Sequence, residues 1–200
     1  MVTKVSLSTV LVASAIVYGG IAWFLGIQLT WTHLTPFGAV LTVVTLLGTL
    51  FERILWSLWP ITVFAKTPDL RGTWALTLQS TYVDPTTGKQ KESINGTATI
   101  RQTYSTLSIR TVTPSQTSFL IAHHIIRHAD NVYEVTGVYQ SDPGIELRGE
   151  ESEIHYGAFR YRLDEEAITL TGHYWTDRNT RGRISLRRNP PKRWWERSCA

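Results

Sequence analysis

Hydrophobic and polar positions divide the chain into two unlike parts. From Val5 to Phe51 there is no Asp, Glu, Lys or Arg, and His33 is the only histidine. The runs Val5–Leu29 and Leu34–Trp59 are each at least as long as the roughly 20 residues a helix needs to cross a hydrocarbon core. The break between them, QLTWTHLTP (Gln28–Pro36), leaves room only for a tight turn, so the pattern predicts two membrane-spanning helices in a hairpin. From Arg71 the period changes to two. In GTWALTL (Gly72–Leu78), Trp74, Leu76 and Leu78 alternate with polar or small residues, as in a strand with one buried face.

Seven more runs of the same kind follow, rich in Thr, Ile, Val and Tyr. The predicted strands are Gly72–Val83, Lys91–Gln102, Thr106–Val112, Thr117–His128, Asn131–Gln140, Glu153–Leu163, Ala167–Trp175 and Gly182–Arg188. The turns DPTTGK, TPSQ, HADN, SDPG and DRNTRG tolerate tight or left-handed backbone, which makes sequential strands antiparallel hairpin partners. Eight such strands close most simply as an up-and-down barrel of the calycin type, able to hold one small ligand. The expected organisation is a hairpin over 1–60, a linker over 61–70, the barrel over 71–189 and a basic Trp-containing tail over 190–200.

Charge orients this arrangement. The net charge is +4 and the pI near 9.3, and apart from Lys4 every charged residue lies beyond Phe51. Lys4 precedes the first run, Arg53, Lys66 and Arg71 end or follow the second, and the connecting turn has no Lys or Arg. The positive-inside rule then puts both termini and the barrel in the cytoplasm. Trp23, Trp31, Trp56 and Trp59 stand near the run ends, at headgroup level. Ala13-Ser14-Ala15 resembles a signal-peptide cleavage site, but the apolar run continues well past it. Cys199 is the only cysteine, so no internal disulfide exists. The closing RRNPPKRWWERSCA suits an anionic membrane surface.

GTW at the head of the first strand resembles the motif of lipocalins and related calycin barrels. That resemblance implies that Trp74 plugs one barrel end under a cation from the last strand, Arg187 or Arg188, with Arg188 preferred. The order hairpin, DLRGTWALTL and barrel resembles the two-transmembrane β-barrel effectors of bacterial cyclic-oligonucleotide antiphage signalling, CBASS. The resemblance implies a multi-pass protein of the inner membrane whose barrel binds a cyclic dinucleotide. Binding would drive self-association of the helices, membrane disruption and abortive infection. It implies the cyclic dinucleotide, the lipid bilayer and further copies of the chain as partners, no DNA or RNA polymer, and no cofactor besides the activating ligand. Gly19, Gly20, Gly26, Gly38 and Gly48, with Thr42, Thr45 and Thr49, offer close helix packing between copies.

Two phosphates call for Arg or Lys, and two bases call for aromatic faces. Tyr82, Tyr104, Tyr139 and Tyr174 are the aromatic candidates. Of the strand cations Arg101, Arg110, Arg127, Arg160 and Arg162, Arg110 (LSIRTVT) and Arg160 (GAFRYRL) are preferred, because each lies among apolar neighbours. Catalysis finds no residues. His123 and His124 face opposite sides of a strand, and His124 and His128 stand about 13 Å apart at about 3.3 Å per residue, too far for one metal. Glu151 and Glu153 read as a solvated turn, and neither a GxxxxGK loop nor a GxSxG elbow is present, so the chain reads as a non-enzyme. Two alternatives remain: an anchored lipid or hydrophobe carrier using the calycin cavity, and a structural interaction module.

Overall fold

Strict alternation dictates the larger part of the fold. In the computed structural model, which describes residues 7–26, 31–65, 67–83, 88–90, 92–148 and 153–190, eight strands form one closed antiparallel barrel in chain order. They are β1 (Gly72–Ser80), β2 (Ile94–Gln102), β3 (Leu107–Val112), β4 (Gln116–Arg127), β5 (Tyr133–Pro143), β6 (His155–Leu163), β7 (Thr169–Thr176) and β8 (Arg181–Arg188). Closure is direct: Leu76 of β1 is opposite Gly96 of β2 on one side and Leu186 of β8 on the other. The predicted edges shift where local chemistry differs. β2 starts at Ile94, past the polar Lys91–Ser93, and β5 continues through Ser141 to Pro143, where SDPG had marked a turn. Ser141 is fully buried there and opposite Ser118 of β4, so tertiary pairing overrides the turn residues. The β4–β5 ladder shifts register between Leu120 and Ala122, a bulge at Ile121. Asn131 (φ 67°) and Asn179 (φ 58°) occupy left-handed positions in the β4–β5 and β7–β8 turns.

The inner face carries Trp74, Leu76, Ala98, Ile100, Ile109, Val135, Phe159, Tyr161, Leu170, Tyr174, Ile184 and Leu186, all buried in one cluster. On the outward row, Glu134 is only 3% exposed, enclosed by basic side chains: Arg160 Nε is 2.7 Å away, His128 Nε2 3.4 Å and Arg162 Nε 3.6 Å. The hydrogen bond from Arg160 holds its carboxyl below the usual range, against the opposing effect of burial. Its stabilising contribution is therefore complete above about pH 4.3, the ordinary glutamate value, and is lost as the pH falls through the lower folded value. Glu134→Gln should accordingly show a smaller drop in urea midpoint between about pH 5 and pH 2.5 than the parent chain.

The other compact unit comprises residues 1–65 together with Thr103–Ser105. It contains α1 (Leu7–Phe24), α2 (Trp31–Arg53), a 3-10 turn at Leu55–Ser57 and the short α3 (Ile61–Ala65). Among the described residues, no helix is long and apolar enough to cross a membrane. Large apolar side chains are nonetheless exposed on both longer helices, among them Val12, Ile16, Val17, Ile21, Val43, Leu46 and Leu47. The threonines expected on the packing surface between copies donate within their own helix: Thr42, Thr45 and Thr49 bond the carbonyls of Gly38, Leu41 and Thr45 at 2.7–2.8 Å. Most of the basic tail, 191–200, lies outside the described residues.

Candidate functional site

One end of the barrel is sealed. The chain enters β1 and leaves β8 at this end, where a strap over Pro68–Arg71 is tied across it. Trp74 Nε1 donates to the carbonyl of Leu70 (3.0 Å), and Gln102 accepts from Leu70 N (2.9 Å) while donating to the carbonyl of Pro68 (3.0 Å). The Arg188 guanidinium lies 5.1 Å from the Trp74 ring and donates to the carbonyls of Asp69 (2.6 Å) and Arg71 (3.0 Å). Burial raises the Asp69 carboxyl, but hydrogen bonds and charge from Arg71, with Arg188 behind it, bring it below the usual value. Leu107, Leu163 and Leu170 fill the remaining space at this end.

The opposite end stays open, and behind it lies a cavity of about 760 Å³. That volume is in the range that encloses a small ligand. What keeps the interior from filling is a repeated pairing of ring and glycine. Tyr139 is opposite Gly157, Phe159 opposite Gly137, Tyr161 opposite Gly172 and Tyr174 opposite Gly182. With no Cβ beneath them, the rings of Tyr139, Phe159 and Tyr174 lie against the wall: a Cβ built at Gly137 would stand 2.7 Å from Phe159 Cζ, and one at Gly182 2.7 Å from a Tyr174 ring carbon. A Cβ at Gly157 would overlap the Tyr139 hydroxyl. Gly157→Val should thus drive Tyr139 off the wall at a cost of about 1–3 kcal/mol, measured as a lowered urea midpoint. Phe159 and Tyr161 stack at 4.1 Å between centroids, with Tyr139 6.4 Å from Phe159. Burial raises the Tyr139, Tyr161 and Tyr174 hydroxyls, so all three remain protonated donors at neutral pH.

Around the mouth the lining turns polar: Ser80, Gln90, Thr111, Thr113, Ser115, Gln116, Ser118, Thr176 and Thr180. Its cations are Lys89 and Arg178, from the turns after β1 and β7, and among the described lining residues there is no carboxylate. Such a set favours an anion at the mouth and flat rings further in. Among the described residues, no group of three or more His, Cys, Asp or Glu side chains is placed to hold a metal ion.

The sequence candidates divide. Tyr82, Tyr139 and Tyr174 line the cavity. Tyr104 does not: its ring packs on Phe51 at 5.1 Å within the first unit. Arg110 and Arg160 are also outside the cavity lining. Arg110 lies 5.4 Å from the Phe119 ring beside a shallow outer groove, and Arg160 is bound to Glu134. The reason is parity. Ile109 flanks Arg110, and Phe159 and Tyr161 flank Arg160, as buried inner-face residues, so a residue between them points outward. Arg101 and Arg162 are exposed for the same reason, whereas Arg127 shares the face of Ile125 and Tyr133 and is exposed because β4 ends there. Sequence reasoning missed Lys89 and Arg178, although a signal existed. Once GTW marks the sealed end, the DPTTGK and DRNTRG turns must rim the open one.

Comparison with known proteins bears on this cavity. The chain is similar to CD-NTase-associated protein 15 of Staphylococcus schleiferi, 28% identical over 162 residues that cover 80% of this chain and 82% of that protein. The model of the family described as Cap15, cyclic dinucleotide receptor domain, matches residues 65–188. That match takes in the strap, all eight strands and the cavity they enclose, more than half of the chain, and it agrees with the resemblance carried by DLRGTWALTL and the barrel. The chain therefore belongs to the Cap15 cyclic dinucleotide receptor domain family.

Proposed function

We propose that the cavity of this barrel is the receptor site for a cyclic dinucleotide, and that its occupation makes a membrane-inserted hairpin self-associate and breach the inner membrane in antiphage defence. The observation that carries the reading is the lining: about 760 Å³ backed by three glycine-seated rings, with Lys89 and Arg178 at the rim and no carboxylate among the described lining residues. Stacking on aromatic faces contributes about 1–3 kcal/mol per base, and the rim cations supply countercharge to the phosphates. The family match supports the ligand class.

Membrane insertion of residues 5–59 is supported by the charge-free stretch up to Phe51 and by the exposed apolar side chains of α1 and α2. The apolar run of the first helix also extends past its described part, through Ile27. Gly19, Gly20 and Gly38 have open space where a Cβ would stand, which suits close packing of copies. Leu76, Leu78, Ile109 and Ile184 also line the cavity, and they favour the second reading, an anchored hydrophobe carrier.

Full-length protein in dye-loaded vesicles separates the two readings. A cyclic dinucleotide at about 100 times its Kd should add about 2.7 kcal/mol of stability, raise the particle mass and release dye. Stabilisation by fatty acids with no response to cyclic dinucleotides would establish the carrier instead.

A further inference from the structure

Among the described residues that line the lumen, hydrogen-bond donors are plentiful, and one histidine ring is oriented by a backbone carbonyl. His155, at the head of β6, is 5% exposed and lines the cavity. Its Nδ1 lies 3.0 Å from the carbonyl oxygen of Glu153. A carbonyl can only accept, so Nδ1 carries a proton, and Nε2 is the ring nitrogen that can accept. Beside it the β-ladder places Ser141 opposite His155, and Ser141 is itself engaged at 2.9 Å by Ser118. Lys89 and Arg178 present donors only, while the tyrosine, serine, threonine and glutamine side chains serve either role. We infer that His155 reads the ligand's base, accepting from a ring or exocyclic N–H. This inference rests on the lumen being the cyclic dinucleotide site, and it adds a residue that sets which bases are accepted.

Titration calorimetry of the full-length protein in detergent micelles tests it, with cyclic di-GMP, cyclic di-AMP and mixed cyclic GMP-AMP as probes, and the 2′-deoxy analogue of the tightest binder. His155→Leu removes the acceptor, and His155→Gln retains one through its amide oxygen. The expected result is a loss of about tenfold or more in Kd for the best ligand in His155→Leu, a loss of less than about threefold in His155→Gln, and narrowed discrimination between bases in the leucine variant. Unliganded melting temperatures establish that both variants fold; should the leucine variant fail, His155→Phe keeps a flat ring without the acceptor and takes its place. Equal losses in the Leu and Gln variants, or unchanged affinity in His155→Leu, would overturn the assignment while leaving the receptor reading intact. If the 2′-deoxy analogue no longer distinguishes His155→Leu from the parent, the acceptor reads a ribose hydroxyl and the base assignment falls. If the parent chain binds none of the probes, the receptor reading and this inference fail together.

Discussion

Trp74→Ala should lower barrel stability by about 3–5 kcal/mol, the cost of deleting a fully buried aromatic side chain. The loss is not confined to packing. Trp74 Nε1 holds the Leu70 carbonyl, and the Trp74 ring carries the Arg188 guanidinium, which in turn binds the carbonyls of Asp69 and Arg71. Removing the ring thus loosens the strap that seals the end. A melting temperature at least about 10 °C below that of the parent chain is the expected measurement. Arg188→Ala should show a smaller loss of about 2–3 kcal/mol, since two charge-assisted hydrogen bonds and the ring contact go while the indole stays packed. A double variant should lose less than the sum of the two, because the residues touch.

Reversing charge at the mouth has the second large effect. Lys89→Glu with Arg178→Glu should weaken cyclic dinucleotide binding by about 100-fold at physiological salt, replacing attraction for the phosphates by repulsion. Both side chains are exposed on turns, so the unliganded melting temperature should stay within a few degrees of the parent. The remaining affinity should also rise with ionic strength where the parent's falls, because salt then screens repulsion instead of attraction. The matching reversal of Arg101 and Arg110, on the outer wall, should leave affinity unchanged. That contrast is read by fluorescence polarisation of a labelled cyclic dinucleotide over a salt series.

Strand number, order and closure were legible because a one-sided sheet repeats every two residues, and GTW marked where the barrel is sealed. The same periodicity decides where the arginines point, yet apolar neighbours around Arg110 and Arg160 invite the opposite conclusion. A buried apolar residue next to a charge on a strand means that the neighbour faces in and the charge faces out, as Ile109 does for Arg110 and Phe159 and Tyr161 do for Arg160. Tyr104 was misplaced for a different reason: it follows the end of β2, where strand parity no longer governs direction, and it packs on Phe51. His155 was legible in principle, since it shares parity with Gly157, Phe159, Tyr161 and Leu163 along β6. The seating of Tyr139 on Gly157 or Tyr174 on Gly182 was not, because it depends on cross-strand register, which no single strand encodes. The continuation of β5 through SDP was hidden likewise, for turn residues there are outvoted by pairing with β4.

The most direct test is the structure of the full-length protein bound to the cyclic dinucleotide it holds most tightly. The account predicts the ligand inside the barrel, its bases against Tyr139, Phe159 or Tyr174 and a phosphate within reach of Arg178 or Lys89. A ligand seated on the outer wall at Arg110 or Arg160, with the lumen occupied by an acyl chain, would contradict it.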